Sequence, residues 1–111
     1  MDPNVKSAIG RLVADLVAGN YGQVVHDGRS GRLSEGEIRR AISDYGRTLT
    51  LPPSEAWRHV EVIERVGDPR LLAVDIPLWT LEEGRSDLIL SVTIATSSDP
   101  ATIEIDDIRV Q

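Results

Sequence analysis

The chain has 111 residues, 41% of them apolar, with 18 Asp+Glu against 12 Lys+Arg, a net charge of −6, no Cys and no Phe. That length suits one domain spanning 1–111, with a core built from Val, Ile and Leu. The missing cysteines exclude disulfides, thiolate catalysis and Cys-ligated zinc or iron–sulfur centres, and His26 and His59 are too few for a multi-histidine metal site.

The first element is a helix over 4–18. Val5, Ala8, Ile9, Leu12, Val13, Leu16 and Val17 recur at helical spacing and form one apolar stripe. Asp2 is placed to cap it, Pro3 fits its first turn, and Gly19-Asn20 is a left-handed stop. Tyr21 to Val25 reads as a further helical turn. Asp27 to Arg32 is a connector by composition. The second long helix is expected over 34–45. Ser34 and Glu37 match a capping box, and Leu33 and Ile38 stand where a hydrophobic staple belongs. Gly46 ends it. Thr48 to Leu51 is extended, Pro52-Pro53 breaks that run, and Ser54 to Trp57 reads as a single helical turn.

From residue 58 the apolar period changes from 3.6 to 2. Strands are expected over 58–66, 70–79, 87–96 and 102–110, separated by Gly67-Asp68-Pro69, Glu82-Glu83-Gly84-Arg85 and Ser97-Ser98-Asp99-Pro100. Such short connections favour sequential antiparallel pairing. The expected fold is therefore α+β: two N-terminal helices packed on one face of a curved four-stranded antiparallel meander, in the order ααββββ.

Alternation assigns the faces. Val60 and Val62, then Leu72, Val74, Ile76 and Leu78, then Leu88, Leu90, Val92 and Ile94, then Ile103 and Ile105 point to the helices. Ile108 and Val110 are out of phase with Ile103 and Ile105, so a β-bulge at Asp106-Asp107 is needed to return them to that face. The opposite face carries His59, Glu61, Ile63 and Arg65; Leu71, Ala73, Asp75 and Trp79; Ile89, Ser91 and Thr93; and Glu104, Asp107 and Arg109. No further element remains to cover it. Carboxylates around an exposed Trp and aliphatics are the composition of a partner surface.

The charge is polarised along the chain. Residues 1–55 hold seven acids and seven bases, whereas residues 56–111 hold eleven acids and five bases, so the whole −6 lies in the strand-forming half. This speaks against nucleic acid and against anionic membrane, which call for clustered Lys and Arg. It favours a basic protein partner. No run approaches a membrane span and no secretory signal is visible, so a cytoplasmic protein is expected.

Several chemical readings compete with partner binding. Gly28 and Gly31 flanked by Arg29 and Arg32 do not follow a strand and lack the Gly-Lys-Ser/Thr ending of a phosphate loop, which leaves a plain connector. No metal site is expected: the two histidines have no third ligand at an identifiable spacing, and Asp106 and Asp107 would diverge on a regular strand. No cofactor is implied. A curved sheet wrapped by helices also occurs in nuclear-transport-factor-like cone folds, which bind small molecules or catalyse with an Asp or His and a Tyr. Here the cavity-facing positions are aliphatic, His59 and Asp75 have the opposite parity, and Tyr21 and Tyr45 suit a helix–sheet seam with the hydroxyl reaching water. Trp57 suits that seam too. Trp79 points outward by parity, which suits partner contact and the core edge equally.

Two stretches carry a family likeness. Pro77-Leu78-Trp79-Thr80-Leu81-Glu82-Glu83-Gly84-Arg85-Ser86-Asp87-Leu88 and Ile103-Glu104-Ile105-Asp106-Asp107-Ile108-Arg109-Val110 resemble a family of small, acidic bacterial domains. Some proteins of that build act as immunity proteins beside polymorphic toxins, including contact-dependent growth inhibition toxins. The resemblance implies a bacterial cytoplasmic protein that neutralises a toxin; with the acidic strand-forming half and no readable nucleophile–base pair, the expectation is a non-enzymatic, one-to-one complex with a basic toxin domain, in particular a nuclease. Glu61, Asp75, Trp79, Glu82, Glu83, Asp87, Ile89, Glu104, Asp106 and Asp107 are the expected docking residues. A cone-fold enzyme or ligand binder is the alternative function, and a homodimer paired through the open sheet is a third reading.

Overall fold

A computed structural model of the protein describes residues 2–64 and 70–111. Helix α1 (Pro3–Ala18) is capped by the Asp2 carboxylate, which accepts from the Asn4 amide at 2.8 Å, and it stops at Gly19 in the left-handed conformation. The short α2 (Tyr21–His26) follows. Helix α3 (Glu35–Tyr45) starts with the full capping box: the Glu37 amide donates to Ser34 Oγ and the Ser34 amide to Glu37 Oε1, both at 3.1 Å. A two-residue strand β1 (Leu49–Thr50) and a 3-10 helix (Ser54–His59) occupy the stretch between Gly46 and the main sheet.

The sheet is open and wholly antiparallel. Strand β2 (Glu61–Glu64) and β1 both pair with the long β3 (Leu71–Thr80); β4 (Gly84–Ala95) pairs with β3, and β5 (Thr102–Val110) with β4. The expected meander is present, with helices preceding strands. Two details differ. The small elements Tyr21–His26 and Leu49–Thr50 add a helix and a strand to the two-helix, four-strand plan. Arg58 and His59 belong to the 3-10 helix and not to the first strand, while residues 65–69, including Arg65 and the Gly67-Asp68-Pro69 turn, lie outside the described residues.

One aliphatic core joins the helices to the sheet. Val5, Ile9, Leu12, Leu16, Val24 and Ile38 pack on Val74, Leu78, Leu88, Leu90, Val92, Ile94 and Ile105, all buried. The positions that a cone fold would need as cavity lining are thus filled by side chains touching one another. The bulge is present as expected: Val92 pairs with Ile105 but Ser91 with Asp107, leaving Asp106 as the extra residue and returning Ile108 to the core. A second irregularity lies opposite Leu78, where β4 spends three residues, Ser86 to Leu88, against one.

Two inward assignments are corrected. Val62 and Val110 are 44% and 62% exposed. Val62 lies on the outer strand β2 and Val110 at the end of the edge strand β5, both beyond the cover of the helices. An outward assignment also fails: Ile89 is only 5% exposed, since it sits between Pro77 and Arg109 on the neighbouring strands with polar side chains standing over it.

The connector after α2 ties the two halves together. Arg29 reaches back to Asp15 at 2.7 Å and to Asp27 at 2.9 Å, and its carbonyl accepts the Ile105 amide at 2.8 Å. Gly31 lies over the Ile105 carbonyl at φ +61°, where a Cβ would stand 2.2 Å from that oxygen. Only glycine fits such an approach, and positive φ adds to the cost for any other residue.

Two stability effects follow. Ser34→Ala removes an N-cap and is expected to cost about 1 kcal/mol in chemical denaturation. Gly31→Ala is expected to cost about 2 kcal/mol or more, because it strains the backbone and drives the connector off β5. Both measurements use the urea midpoint at constant slope.

Candidate functional site

The face of the sheet away from the helices carries the polar chemistry. Its residues come from β2 to β5, where alternation turns Glu61, Asp75, Ser91, Thr93, Glu104 and Asp107 outward. The bulge adds Asp106 to them: Thr93 Oγ1 donates to Asp106 Oδ2 at 2.6 Å, so two successive carboxylates serve the same side of β5. Asp107 also accepts the Ile108 amide at 2.9 Å.

A shallow depression of about 290 Å³ lies in this face, floored by Pro77 and Ile89 and rimmed by His59, Glu61, Asp87 and Arg85. Asp75 and Arg109 also line it. Ser91 Oγ donates to Asp75 Oδ1 at 2.6 Å, and Arg109 Nη2 reaches Asp75 Oδ2 at 3.2 Å while its Nη1 donates to the same serine oxygen. Arg85 Nη1 donates to His59 Nδ1, since a guanidinium has no acceptor, which places the ring proton on Nε2. His59 and Asp75 therefore line one depression but answer to different cations; they do not bond to each other as an acid–base pair.

Net charge is the clearest property of this surface. Among the described residues it presents the carboxylates of Glu61, Asp75, Asp87, Glu104, Asp106 and Asp107 against the guanidiniums of Arg85 and Arg109. Such an excess repels anions and steers cationic partners. Among the described residues, no three His, Asp or Glu side chains converge as a metal site. None of the helices described is long and apolar enough to cross a membrane.

Residues 13–111 match the sequence model of a family described as a domain of unknown function, DUF7668. The chain belongs to the DUF7668 family. No curated protein and no solved structure matches it.

The remaining expected docking residues of this DUF7668 domain have other structural work. Glu82 and Glu83 form the tip of the β3–β4 hairpin and fasten it to the helical side. Glu82 accepts from the Thr48 amide at 2.9 Å and from Thr48 Oγ1 at 3.0 Å. Glu83 accepts from Tyr45 Oη at 2.9 Å, and Tyr45 Oη in turn accepts the Asp87 amide at 3.2 Å. Tyr45 thus sits at the helix–sheet seam with its hydroxyl in use. Trp79 is half-buried at the β1 edge of the sheet. Its ring lies 3.6 Å from where a Cβ on Gly84 would stand, and its Nε1 is sealed without a hydrogen-bond partner among the described residues. With Trp57, Pro52 and Ala56 it lines a recess of about 40 Å³. The outward parity of Trp79 holds only as register, because the residue shares this recess with Ile9 and Val13 of α1 and its Nε1 is sealed.

The Gly28–Arg32 stretch, a plain connector by sequence, has a structural task that the sequence reading does not assign it. Its signal was there: two glycines three apart with an arginine between them, beside no phosphate motif, mark a tight backbone approach. The approach is to the edge of β5, next to Glu104, whose Cγ would stand 3.2 Å from a Cβ on Gly31.

Among the described residues, three carboxylates are held below their ordinary acidity range. Glu82 is lowered first by the Thr48 amide, Glu37 first by the Ser34 amide, and Asp15 first by its hydrogen bond from Arg29. Lowered folded-state values mean stability that is present above the ordinary carboxylate range and is lost as pH falls through the folded values. Unfolding midpoints measured from neutral to strongly acidic pH are expected to fall across that window. Glu82→Gln is expected to lower the midpoint at neutral pH and to flatten the acid limb.

Proposed function

We propose that this domain is an immunity-type protein: it binds a basic toxin domain of the nuclease kind one to one and blocks it, within the bacterial cytoplasm and without catalysis of its own. The observation that carries this reading is the charge of the uncovered sheet face, six carboxylates against two guanidiniums among the described residues. A nuclease surface is built to hold phosphates, and a rigid array of carboxylates competes for the same cations. The β-sheet holds these groups on ordered strands, and the Ser91, Thr93 and Arg109 contacts fix Asp75 and Asp106 in place.

The likeness of the Pro77–Leu88 and Ile103–Val110 stretches to small acidic bacterial domains, some proteins of whose build act as immunity proteins, is consistent with this reading. Within the docking set, Glu61, Asp87, Glu104, Asp106 and Asp107 are the residues whose carboxylates face outward for a partner. Asp75, Glu82 and Glu83 are engaged inside the molecule, and Ile89 and Trp79 supply rigidity beneath and beside the surface.

The test is co-expression with the product of the adjacent upstream gene, scored by cell survival and by association kinetics at two salt concentrations. Wild type is expected to protect, and the association rate to fall as ionic strength rises past the point where the Debye length is ~8 Å. Glu61→Lys with Asp87→Lys is expected to slow association by roughly tenfold with little change in fold, since both side chains are exposed. Full protection by the double reversal would move the docking surface elsewhere. Absence of any complex with that protein would end the immunity reading.

A further inference from the structure

The outer edge of β5 can be accounted for amide by amide. Before the bulge, residues 101, 103 and 105 turn their N–H groups away from β4; after it, 108 and 110 do so. Ala101 donates to Asn4 Oδ1 at a long 3.4 Å, Ile105 to the Arg29 carbonyl at 2.8 Å, and Ile108 to Asp107 Oδ1 at 2.9 Å. Edge strands are normally closed in such ways, because a free row of N–H and C=O groups is a template for another strand. Two of the five have no such partner among the described residues: Val110, at the strand's end, and Ile103, which lies between closed neighbours. Its side chain is buried, but its outward N–H and C=O have no hydrogen-bond partner among the described residues.

Space is present at that point. A depression of about 750 Å³ follows this edge, with Ala8, Arg11 and Ala14 of α1 on one side and Thr102, Ile103 and Glu104 on the other. The Arg29–Gly31 connector closes it at Ile105, where the Arg29 carbonyl already makes a strand-type bond to the edge. Resting on the reading of this domain as a binder of a basic protein, we propose that an extended, lysine- or arginine-bearing segment of that partner adds to β5 as a short strand, pairing its backbone with the N–H and C=O of Ile103.

The surroundings select the occupant. Side chains of an added strand alternate between two sides. Those on the open-face side fall beside Glu104, with Asp106 and Asp107 next along the strand, so cationic side chains belong there. Those on the other side meet Ala8, Arg11 and Ala14 of α1, so small, uncharged side chains belong there and cations do not. A second copy of β5 does not fit this slot, because it brings its own α1 and Arg29–Gly31 connector to an edge already walled by both.

The experiment uses the full ¹⁵N-labelled chain and an acetylated, amidated Lys-Val-Lys-Val-Lys peptide, with Glu-Val-Glu-Val-Glu and a centrally N-methylated basic peptide as controls. In the free protein the Ile103 amide is expected to exchange with solvent fast. Millimolar basic peptide is expected to slow it about tenfold or more and to shift Ala101 and Glu104, while the acidic and N-methylated peptides do neither. Glu104→Lys is expected to weaken the basic peptide without altering the exchange of the free Ile103 amide. Slow exchange of Ile103 without peptide overturns the proposal, as does protection that grows with protein concentration alone, equal binding of the N-methylated peptide, or no response to any peptide. Shifts confined to Glu61 and Asp87 also overturn edge pairing, yet leave the acidic surface as the partner site.

Discussion

The central pair of strands sets the terms for everything else. Between Leu71–Ala95 and Pro77–Ile89, β3 and β4 stay in unbroken antiparallel register, so each successive residue turns to the other face. One face meets three helices whose buried residues are aliphatic, and a core without phenylalanine gains stability only if many modest side chains are buried together. A one-residue slip would carry Val74, Ile76, Leu90 and Val92 to the outside at once. Hence the register is tightly specified, and the polar face inherits its order: Asp75 meets Ser91 and Thr93 meets Asp106 because Val74 and Val92 must meet the helices.

The outline of this fold was legible because its signals are local and repeated. The capping box at Ser34, the glycine stops at 19 and 46, and the switch of period at residue 58 each rest on neighbours within one turn or one strand. The bulge was legible for a sharper reason: Ile108 is apolar in the wrong phase, and a single extra residue is the least distortion that reconciles it with Ile105. The second irregularity opposite Leu78 left no such mark, because Leu88, Ile89 and Leu90 read equally well in either phase.

The site was less legible, and the misses share a cause. Parity says which side of a sheet a residue faces but not what lies above it. Ile89 faces outward and is buried between Pro77 and Arg109 on the adjacent strands; Trp79 is outward by register and yet half-buried, with its Nε1 sealed. Glu82 and Glu83, read as loop charges, are spent on Thr48 and Tyr45, partners more than thirty residues away in sequence. Carboxylates at a hairpin tip look alike in a sequence whether they greet a partner or fasten the tip.

The hydrogen bond between Ile105 and the Arg29 carbonyl has a kinetic meaning. It closes a loop spanning most of the chain, so its entropic cost must be met before it returns any stability. The hairpins of β3, β4 and β5 close far shorter loops and have no such debt. Folding is therefore expected to assemble the sheet first and to set the connector against its edge late. Contacts made after the transition state govern the rate of unfolding more than that of folding. On that order the seam at Arg29 and Gly31 is a latch on the lifetime of the native state, with little say in how quickly that state is reached.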